Sequence, residues 1–356
     1  MPFDRTNAAC YLSDSMAPVT APPSPLPSPP AIILKAAHDP LFFGPLPVRL
    51  REGYSGAVYL PDPESGAVQP KGEGLLSFSV DAGNTSYELF KDNRNFAVSD
   101  NEVQSARLTY RRGLGNGWEG AITGNLLSRN GGGLDNLIHW WHQRVLRFTD
   151  PFREGNPGNT AILRLAQNGA VLIDQPGNAS TGLLVLQAKK QIVARTEVKR
   201  PLLASLRTTI KIPLRSQEKS QYLDNGATDI LLGISGSYRP GGRLWLHTDL
   251  STLYAGTGNV LALRGGKRFL PQIIFAGEYA LNGRTSLVAQ YEDAQYPFHL
   301  NLPNHSDRRR QTSFGIWRAS STDTRFFVSL SENIAAFKVT SHAPDVQISA
   351  GIQRRL

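Results

Sequence analysis

The chain has little that could hold it together covalently or anchor it as a helical membrane protein. Cys10 is the single cysteine among 356 residues, so an internal disulfide is excluded. No stretch approaches the ~20 consecutive apolar residues that a membrane-spanning helix needs, and the mean hydropathy is −0.27. A membrane β-barrel is not excluded, because its strands place apolar residues only at every second position.

The N-terminus lacks the apolar core of a secretory signal peptide, which an exported barrel requires. Ala8–Cys10 resembles the end of a lipoprotein cleavage site, but no apolar stretch precedes it. We interpret the start as mis-assigned; a start further upstream, or a chain that is not exported, are the alternatives. The Pro/Ser-rich run at 22–30 predicts a disordered N-terminal segment, residues 1–42.

Clustered basic charge is also missing, although the net charge is +9. Nucleic-acid sites concentrate Lys and Arg on one helix, one face or one tail. Here these residues are scattered along the whole chain. We therefore expect no nucleic-acid partner.

What the sequence does contain, from about residue 72 onward, is alternation of apolar and polar residues. In the first such segment Leu76, Phe78 and Val80 share one face, as expected of a half-buried strand. Segments of about 9–11 residues suffice to cross a bilayer at a tilt. The twelve segments are 75–87, 103–112, 118–127, 182–192, 202–214, 228–238, 243–252, 271–281, 285–293, 311–319, 325–332 and 345–355.

Short and long connections between these segments alternate. The short ones are 113–117, 239–242, 282–283 and 320–323, with 193–201 somewhat longer; the long ones are 88–102, 128–181, 215–227, 253–270, 294–310 and 333–344. An even strand count with this loop pattern is typical of bacterial outer-membrane barrels. We predict an all-β fold, an antiparallel transmembrane β-barrel of about 12 strands. The alternative is a soluble sandwich or barrel, whose polar face would lie outside.

This prediction divides the chain into three parts. Residues 1–42 form the Pro-rich segment, residues 43–71 an extended segment that is periplasmic or lumenal, and residues 72–356 the barrel. The barrel carries a helical insertion at about 131–148, in the long connection between strands three and four.

The insertion has the spacing of one amphipathic helix. Leu134, Leu137, Ile138, Trp141 and Val145 follow the i, i+3, i+4, i+7, i+11 pattern of one apolar face. The helix is too short to span a membrane. It could plug the lumen, cover the barrel mouth or lie on the lipid surface.

Two further features of this helix bear on function. His139 and His142 are three apart and could share a metal, but Asp135 is the nearest carboxylate, so we interpret them as surface histidines and predict no metal site. The pair Trp140 and Trp141 is expected to pack in a core rather than anchor at an interface. We take Leu134, Asp135, Ile138, Trp141 and His142 as the candidate residues of the helix.

Four stretches carry a resemblance to a known family. They are the Phe43–Arg49 segment, Arg107–Tyr110 with Trp118-Glu119, residues 128–138 with His142, and Thr181–Lys190. Together they resemble the uncharacterised outer-membrane proteins that share the domain of unknown function numbered 3187, over roughly residues 43–356. The resemblance implies a β-barrel in a Gram-negative outer membrane and no established activity, so no functional residues are carried over. The chain departs from barrels that end in an aromatic residue, since its last residue is Leu356.

Motifs for catalysis are scarce. No Gly-x-Ser-x-Gly elbow, Walker loop or dinucleotide fingerprint is present. Of seven histidines only His247 falls in a predicted strand, on the lumen face, whereas the outer-membrane phospholipase fold needs Ser and His on the outer wall. We expect no enzyme activity and no cofactor.

Charged residues on the polar face of the strands are the candidate lumen residues. The basic ones, on the second, fourth and fifth segments, are Arg107, Arg111, Lys189, Arg207 and Lys211; the acidic ones on other segments are Glu119, Asp249, Glu278 and Glu292, with Asp81. Separated charge would select solutes by sign. Alternatively these residues pair with each other and close the interior.

These observations lead to one functional hypothesis and two rivals. We expect a narrow, regulated or plugged outer-membrane pore for small charged solutes. The rivals are a non-conducting barrel that acts through its loops and a lipid-modifying enzyme. The expected partners are outer-membrane lipid, lipopolysaccharide and the barrel-assembly machinery.

Overall fold

The computed structural model describes residues 42–49, 59–147, 161–196, 199–216, 223–256, 267–297, 302, 308–333 and 345–356. The predicted Pro-rich segment 1–42 lies outside these residues, except for Phe42. Within them, no helix is long and apolar enough to cross a membrane.

Fourteen strands and one short helix make up the described fold. The strands are β1 (Gly74–Asp92), β2 (Asn95–Gly115), β3 (Trp118–Asn130), β4 (Ile162–Gln167), β5 (Ala170–Pro176), β6 (Ala179–Arg195), β7 (Leu202–Pro213), β8 (Asp229–Gly241), β9 (Leu244–Tyr254), β10 (Phe269–Asn282), β11 (Thr285–Gln295), β12 (Arg308–Ala319), β13 (Thr324–Glu332) and β14 (Val346–Arg355). The helix α1 (Asp135–Trp141) continues as a π-helical turn, His142–Leu146.

Twelve of the strands close into a barrel. Strands β1–β3 and β6–β14 follow each other around the ring in chain order, each antiparallel to its neighbours. The ring closes because β1 pairs with β2 on one edge and with β14 on the other. The predicted twelve-stranded antiparallel barrel, with one helix in the connection after the third strand, is confirmed.

The two faces of the wall have opposite polarity, with the polar face inside. Leu126 and Leu232 point outward and are 66% and 61% exposed, whereas Lys211 and Glu278 point inward and are fully buried. A soluble barrel would place its apolar face inside. The wall therefore has the inverted polarity of a transmembrane barrel.

The two ends of the barrel differ. Tight turns at 116–117, 242–243 and 283–284 lie at one end, together with Gly74 and Leu356, which hydrogen bond to each other. We call this the short-turn end. The longer connections lie at the opposite end, which we call the loop end.

The predicted loop at 88–102 is wrong. Strands β1 and β2 continue through it and meet in a turn at 93–94. The extension is stabilised by the β4–β5 hairpin, because β4 pairs with β2 from Phe96 to Asp100. Apolar residues of β1, β2 and the β4–β5 hairpin form a shared core. They include Leu89, Ala97, Leu163, Leu165 and Ile173.

The helix is held at the loop end by its N-terminal residues. The backbone N–H groups of Gly133 and Leu134 each donate to the Glu102 carboxylate at 3.0 Å. Asn84 donates to Asp135 Oδ1 at 2.9 Å. These bonds fix the residues at the start of α1 and just before it above β1 and β2.

The apolar face of α1 is mostly uncovered. Ile138 is buried, whereas Leu134 and Trp141 are half-buried and Leu137 and Val145 are exposed. Trp140 is 52% exposed, so the predicted core packing of this residue is wrong. Among the described residues of this face, Ile138 alone is fully buried. The side chain of His142 lies outside the described part of the molecule.

Gly132 and Gly133 offer a matched test of this anchor. Gly132 has φ +69°, and a Cβ there would come within 2.2 Å of Glu102 Oε2, whereas Gly133 has open space. We expect Gly132→Ala to loosen the loop and to speed its cleavage in limited proteolysis, with the heat-modifiable mobility of the barrel unchanged. Gly133→Ala is the control. Equal protection of both variants would contradict the anchor.

Candidate functional site

The lumen of the barrel is occupied by the chain's own N-terminal residues. Two arms, residues 42–49 and 59–70, run inside the wall; together we call them the inner segment. In the first arm, the Phe43 and Gly44 N–H groups each donate to the Glu278 carboxylate at 2.9 Å. The Leu46 N–H donates to Gln290 Oε1 at 3.1 Å.

The second arm is held in the same way. The Glu64 N–H donates to Asp249 at 2.9 Å, and the Gly66 N–H donates to Ser237 Oγ at 2.9 Å. The Gln69 N–H donates to Glu119 at 2.8 Å. Wall side chains thus satisfy backbone donors that no neighbouring strand reaches.

The inner segment is rich in prolines, which suit a chain that lies inside the barrel without a neighbouring strand. Pro45, Pro47, Pro61, Pro63 and Pro70 have no backbone N–H and favour an extended backbone without internal hydrogen bonds. An extended chain rich in proline presents fewer donors for the wall to satisfy. It also loses less conformational entropy when it becomes ordered.

Both arms run between the same two regions of the barrel. Phe43 and Gln69 contact Glu278 and Glu119, close to tight turns of the short-turn end. Tyr59 contacts Asp229, the first residue of β8, toward the loop end. The first arm therefore leads inward from the short-turn end, and the second arm returns there.

Asp62 and Glu64 of the inner segment carry its main ionic contacts. Asp62 forms ion pairs with Arg107 of the wall and with Arg49 of the first arm, the latter at 2.7 Å. Glu64 forms ion pairs with Arg111 at 2.5 Å and Lys189 at 3.0 Å. The two acids thus lie against the basic strands β2 and β6.

The surrounding charges keep both carboxylates ionised. Burial alone would raise the pKa of Asp62, but Arg107 and Arg49 outweigh it, and the pKa lies below its usual range. Burial likewise opposes ionisation of Glu64, but Arg111 and Lys189 hold its pKa well below normal. The inner segment is therefore docked through full charges at neutral pH.

Wall residues also pair with one another. Arg107 lies 3.3 Å from Asp81, Arg111 lies 3.2 Å from Glu119, and Arg207 lies 2.7 Å from Asp249. Arg207 also donates to the backbone carbonyl of Asp62 at 2.9 Å. The wall charges thus pair both across strands and with the inner segment.

A second charge cluster lies toward the loop end of the barrel. The Lys211 ammonium lies 2.7 Å from Asp224 and 3.0 Å from Asp229, and it donates to Asn225 at 2.5 Å. Burial raises the pKa of Asp224, partly opposed by Lys211. The second arm joins this cluster through Tyr59, whose N–H donates to Asp229 at 3.4 Å.

His247 links the two arms through the wall. Its Nδ1 lies 2.9 Å from Ser237 Oγ, and its Nε2 lies 3.2 Å from Glu278 Oε2. Because Gly66 N–H already donates to Ser237, the hydroxyl proton is free to point at Nδ1, and Nε2–H then points at Glu278. The order Ser–His–acid is that of a serine hydrolase, but the two ring nitrogens are exchanged, since a hydrolase triad places Nε2 toward the serine. All three side chains are buried beneath the inner segment.

The structure places the ten candidate lumen residues, Asp81 included, on the inward face. Nine of them meet in the networks above, while Glu292 accepts from Gln272 at 2.6 Å. The candidate helix residues lie apart from the lumen networks, at the loop end. Sequence reasoning missed Arg49, Asp62 and Glu64; their signal was charge set among prolines just before the first strand.

Comparison with known proteins fits this architecture. The family model for DUF3187, a protein of unknown function, matches residues 58–356. The chain belongs to the DUF3187 family. No curated protein matches the sequence.

Solved structures resemble the DUF3187 barrel in fold. The COG4313 outer membrane channel from Pseudomonas putida F1 aligns with 11% identity and a TM-score of 0.52, covering 83% of this chain and 99% of the other. The NanC porin aligns with 10% identity and a TM-score of 0.42, covering 78% and 100%. Outer membrane phospholipase A from Escherichia coli has 10% identity, a TM-score of 0.36 and coverages of 80% and 92%. At 11% identity the likeness to the COG4313 channel concerns the fold alone.

Lys189 and its neighbour Lys190 test how the DUF3187 barrel holds its inner segment. Lys189 is buried and donates to Glu64 and to the backbone carbonyls of Ser65 and Ala67, whereas Lys190 faces outward beside Trp118. Removing one partner of a buried pair costs about 3–5 kcal/mol. We expect Lys189→Gln to accelerate hydrogen–deuterium exchange in residues 59–70.

Lys190→Gln is the matched control and should leave that exchange unchanged. Equal exchange rates in the two variants would show that the ion pair does not hold the second arm.

Proposed function

We propose that this protein is a bacterial outer-membrane pore for small charged solutes, closed in the described state by its inner segment. One observation carries the proposal: both arms are docked through ion pairs and hydrogen bonds to wall side chains. Arms bound by polar contacts can exchange those contacts for water or a solute. Phe43, Leu46 and Val48 of the first arm also pack against Trp317 and Phe327, so withdrawal of that arm exposes apolar surface as well.

The basic residues gathered on one side of the wall support the assignment of small charged solutes. Withdrawal of Asp62 and Glu64 would leave Arg107, Arg111 and Lys189 on adjacent regions of β2 and β6 with fewer anionic partners. A lumen with such a basic side attracts anions and orients them. In this proposal the protein spans outer-membrane lipid with lipopolysaccharide around it and is inserted by the barrel-assembly machinery.

Planar-bilayer conductance tests the pore. We expect little current from the full chain and at least about tenfold more from a variant lacking residues 42–71, because the lumen is then filled by water. Lys189→Gln, which retains every residue, should raise the open fraction, and Lys190→Gln should not. A folded, heat-modifiable deletion variant that conducts no ions would refute the pore.

The rival is a non-conducting barrel that acts through its loop end. It is favoured by the β4–β5 hairpin and by the exposed residues Leu137, Trp140 and Val145 of the insertion. These groups offer an apolar surface to a partner protein or lipid. Absence of conductance in every folded variant would favour this reading.

We propose no catalytic step, although Ser237, His247 and Glu278 have the hydrogen-bond order of a hydrolase triad. Ser237 is 1% exposed and accepts from the Gly66 N–H, so its hydroxyl has no room for an ester. We expect no p-nitrophenyl ester hydrolysis by the full chain, in which Gly66 N–H occupies the Ser237 hydroxyl. Hydrolysis that is lost on Ser237→Ala would establish an enzyme instead.

A further inference from the structure

A cavity of about 330 Å³ opens at the short-turn end, beside the start of the inner segment. Phe42 and Phe43 form part of its lining, with three arginines, Arg284, Arg325 and Arg355. Asp323 is the one acidic residue in the lining. We call this space the mouth cavity. Its basic residues outnumber its acidic ones three to one, which favours an anionic ligand.

Arg325 is held in place without an acidic partner. Its guanidinium lies 5.0 Å from the ring centroid of Trp317 and 5.7 Å from that of Phe43. Its Nε donates to Gln353 Oε1 at 2.8 Å. Among the described residues no carboxylate lies within ion-pair distance of Arg325, in contrast to Arg107, Arg111 and Arg207 of the wall.

The remaining donors of Arg325 point to a specific ligand geometry. Nε is engaged by Gln353, and Trp317 and Phe43 lie on the same side of the guanidinium, since their ring centroids are only 6.3 Å apart. The terminal amino groups remain available in the guanidinium plane. Neither is buried without a partner, so they are accessible from the cavity. A planar carboxylate matches two such donors side by side.

Glu278 is not available as a carboxylate partner for Arg325. Glu278 already accepts from the N–H groups of Phe43 and Gly44 and contacts His247. Its charge is therefore used to dock the inner segment. Arg325 is left as a preorganised cation facing the mouth cavity.

We propose that the mouth cavity binds small monocarboxylates with an apolar body, with Arg325 as the bidentate partner. The volume is at the lower end of the range for ligand pockets, which restricts the ligand to a few carbon atoms or one ring. Phe42 and Phe43 contribute apolar surface for that body. This proposal gives a solute class for the proposed pore, and in that respect it rests on the proposed function.

Calorimetric titration of the refolded full chain in detergent, at low ionic strength, tests the site separately from conductance. Benzoate should bind, and its neutral isostere benzamide and inorganic phosphate should bind at least about tenfold more weakly, because only benzoate combines the planar anion with a ring. Equal binding of benzamide would overturn the charge recognition. Equal or tighter binding of phosphate would overturn the carboxylate assignment.

Substitutions locate the site. Arg325→Gln should weaken benzoate binding at least about tenfold, and Arg325→Lys should have an intermediate effect, since the charge remains but the paired donors are lost. Arg318 lies on the adjacent strand with its side chain exposed on the outer wall, so Arg318→Gln is the matched control.

Unchanged affinity in folded Arg325→Gln, or in Arg325→Lys if the first variant does not fold, would overturn the proposal. Benzoate binding by a barrel that conducts no ions would leave the site standing and refute the pore alone.

Discussion

A charged side chain that is buried inside the barrel needs a partner of opposite charge. The organisation of this protein follows from that constraint. The wall carries Arg107, Arg111 and Lys189 on its inner face, where water is excluded by the inner segment. Asp62 and Glu64 supply the opposite charges. The inner segment and the wall are thus complementary: either one alone would leave buried charges with fewer partners.

The strands were predictable because alternation is a local property. Each barrel strand exposes one face to an apolar surround and the other to a polar interior, so its side-chain types reveal its boundaries. The extension of β1 and β2 over 88–102 was not predictable in this way. Its polar residues resemble a loop, and it is stabilised by β4 and β5, which follow more than 60 residues later in the chain.

In the candidate site, the wall residues were predictable from the sequence, whereas the position of the inner segment was not. Alternation placed Lys189 and Glu278 on the inner face, but it contains no information about what faces them. The prolines near Asp62 indicated an extended chain without indicating whether it lies inside or outside the barrel. That choice depends on contacts such as Lys189 to Glu64, which are 125 residues apart in sequence. For the same reason the aromatic stack on Arg325 escaped notice, since Phe43 and Trp317 belong to opposite ends of the chain.

The course of the two arms has a topological consequence. Both arms meet the barrel's short-turn end, one near Glu278 and the other near Glu119. The described residues of the inner segment therefore enter and leave the lumen at the same end of the barrel. None of the strand pairings that close the barrel includes a residue of either arm, so the twelve strands stay paired whether or not polar contacts and the apolar packing of Phe43, Leu46 and Val48 hold the segment in place.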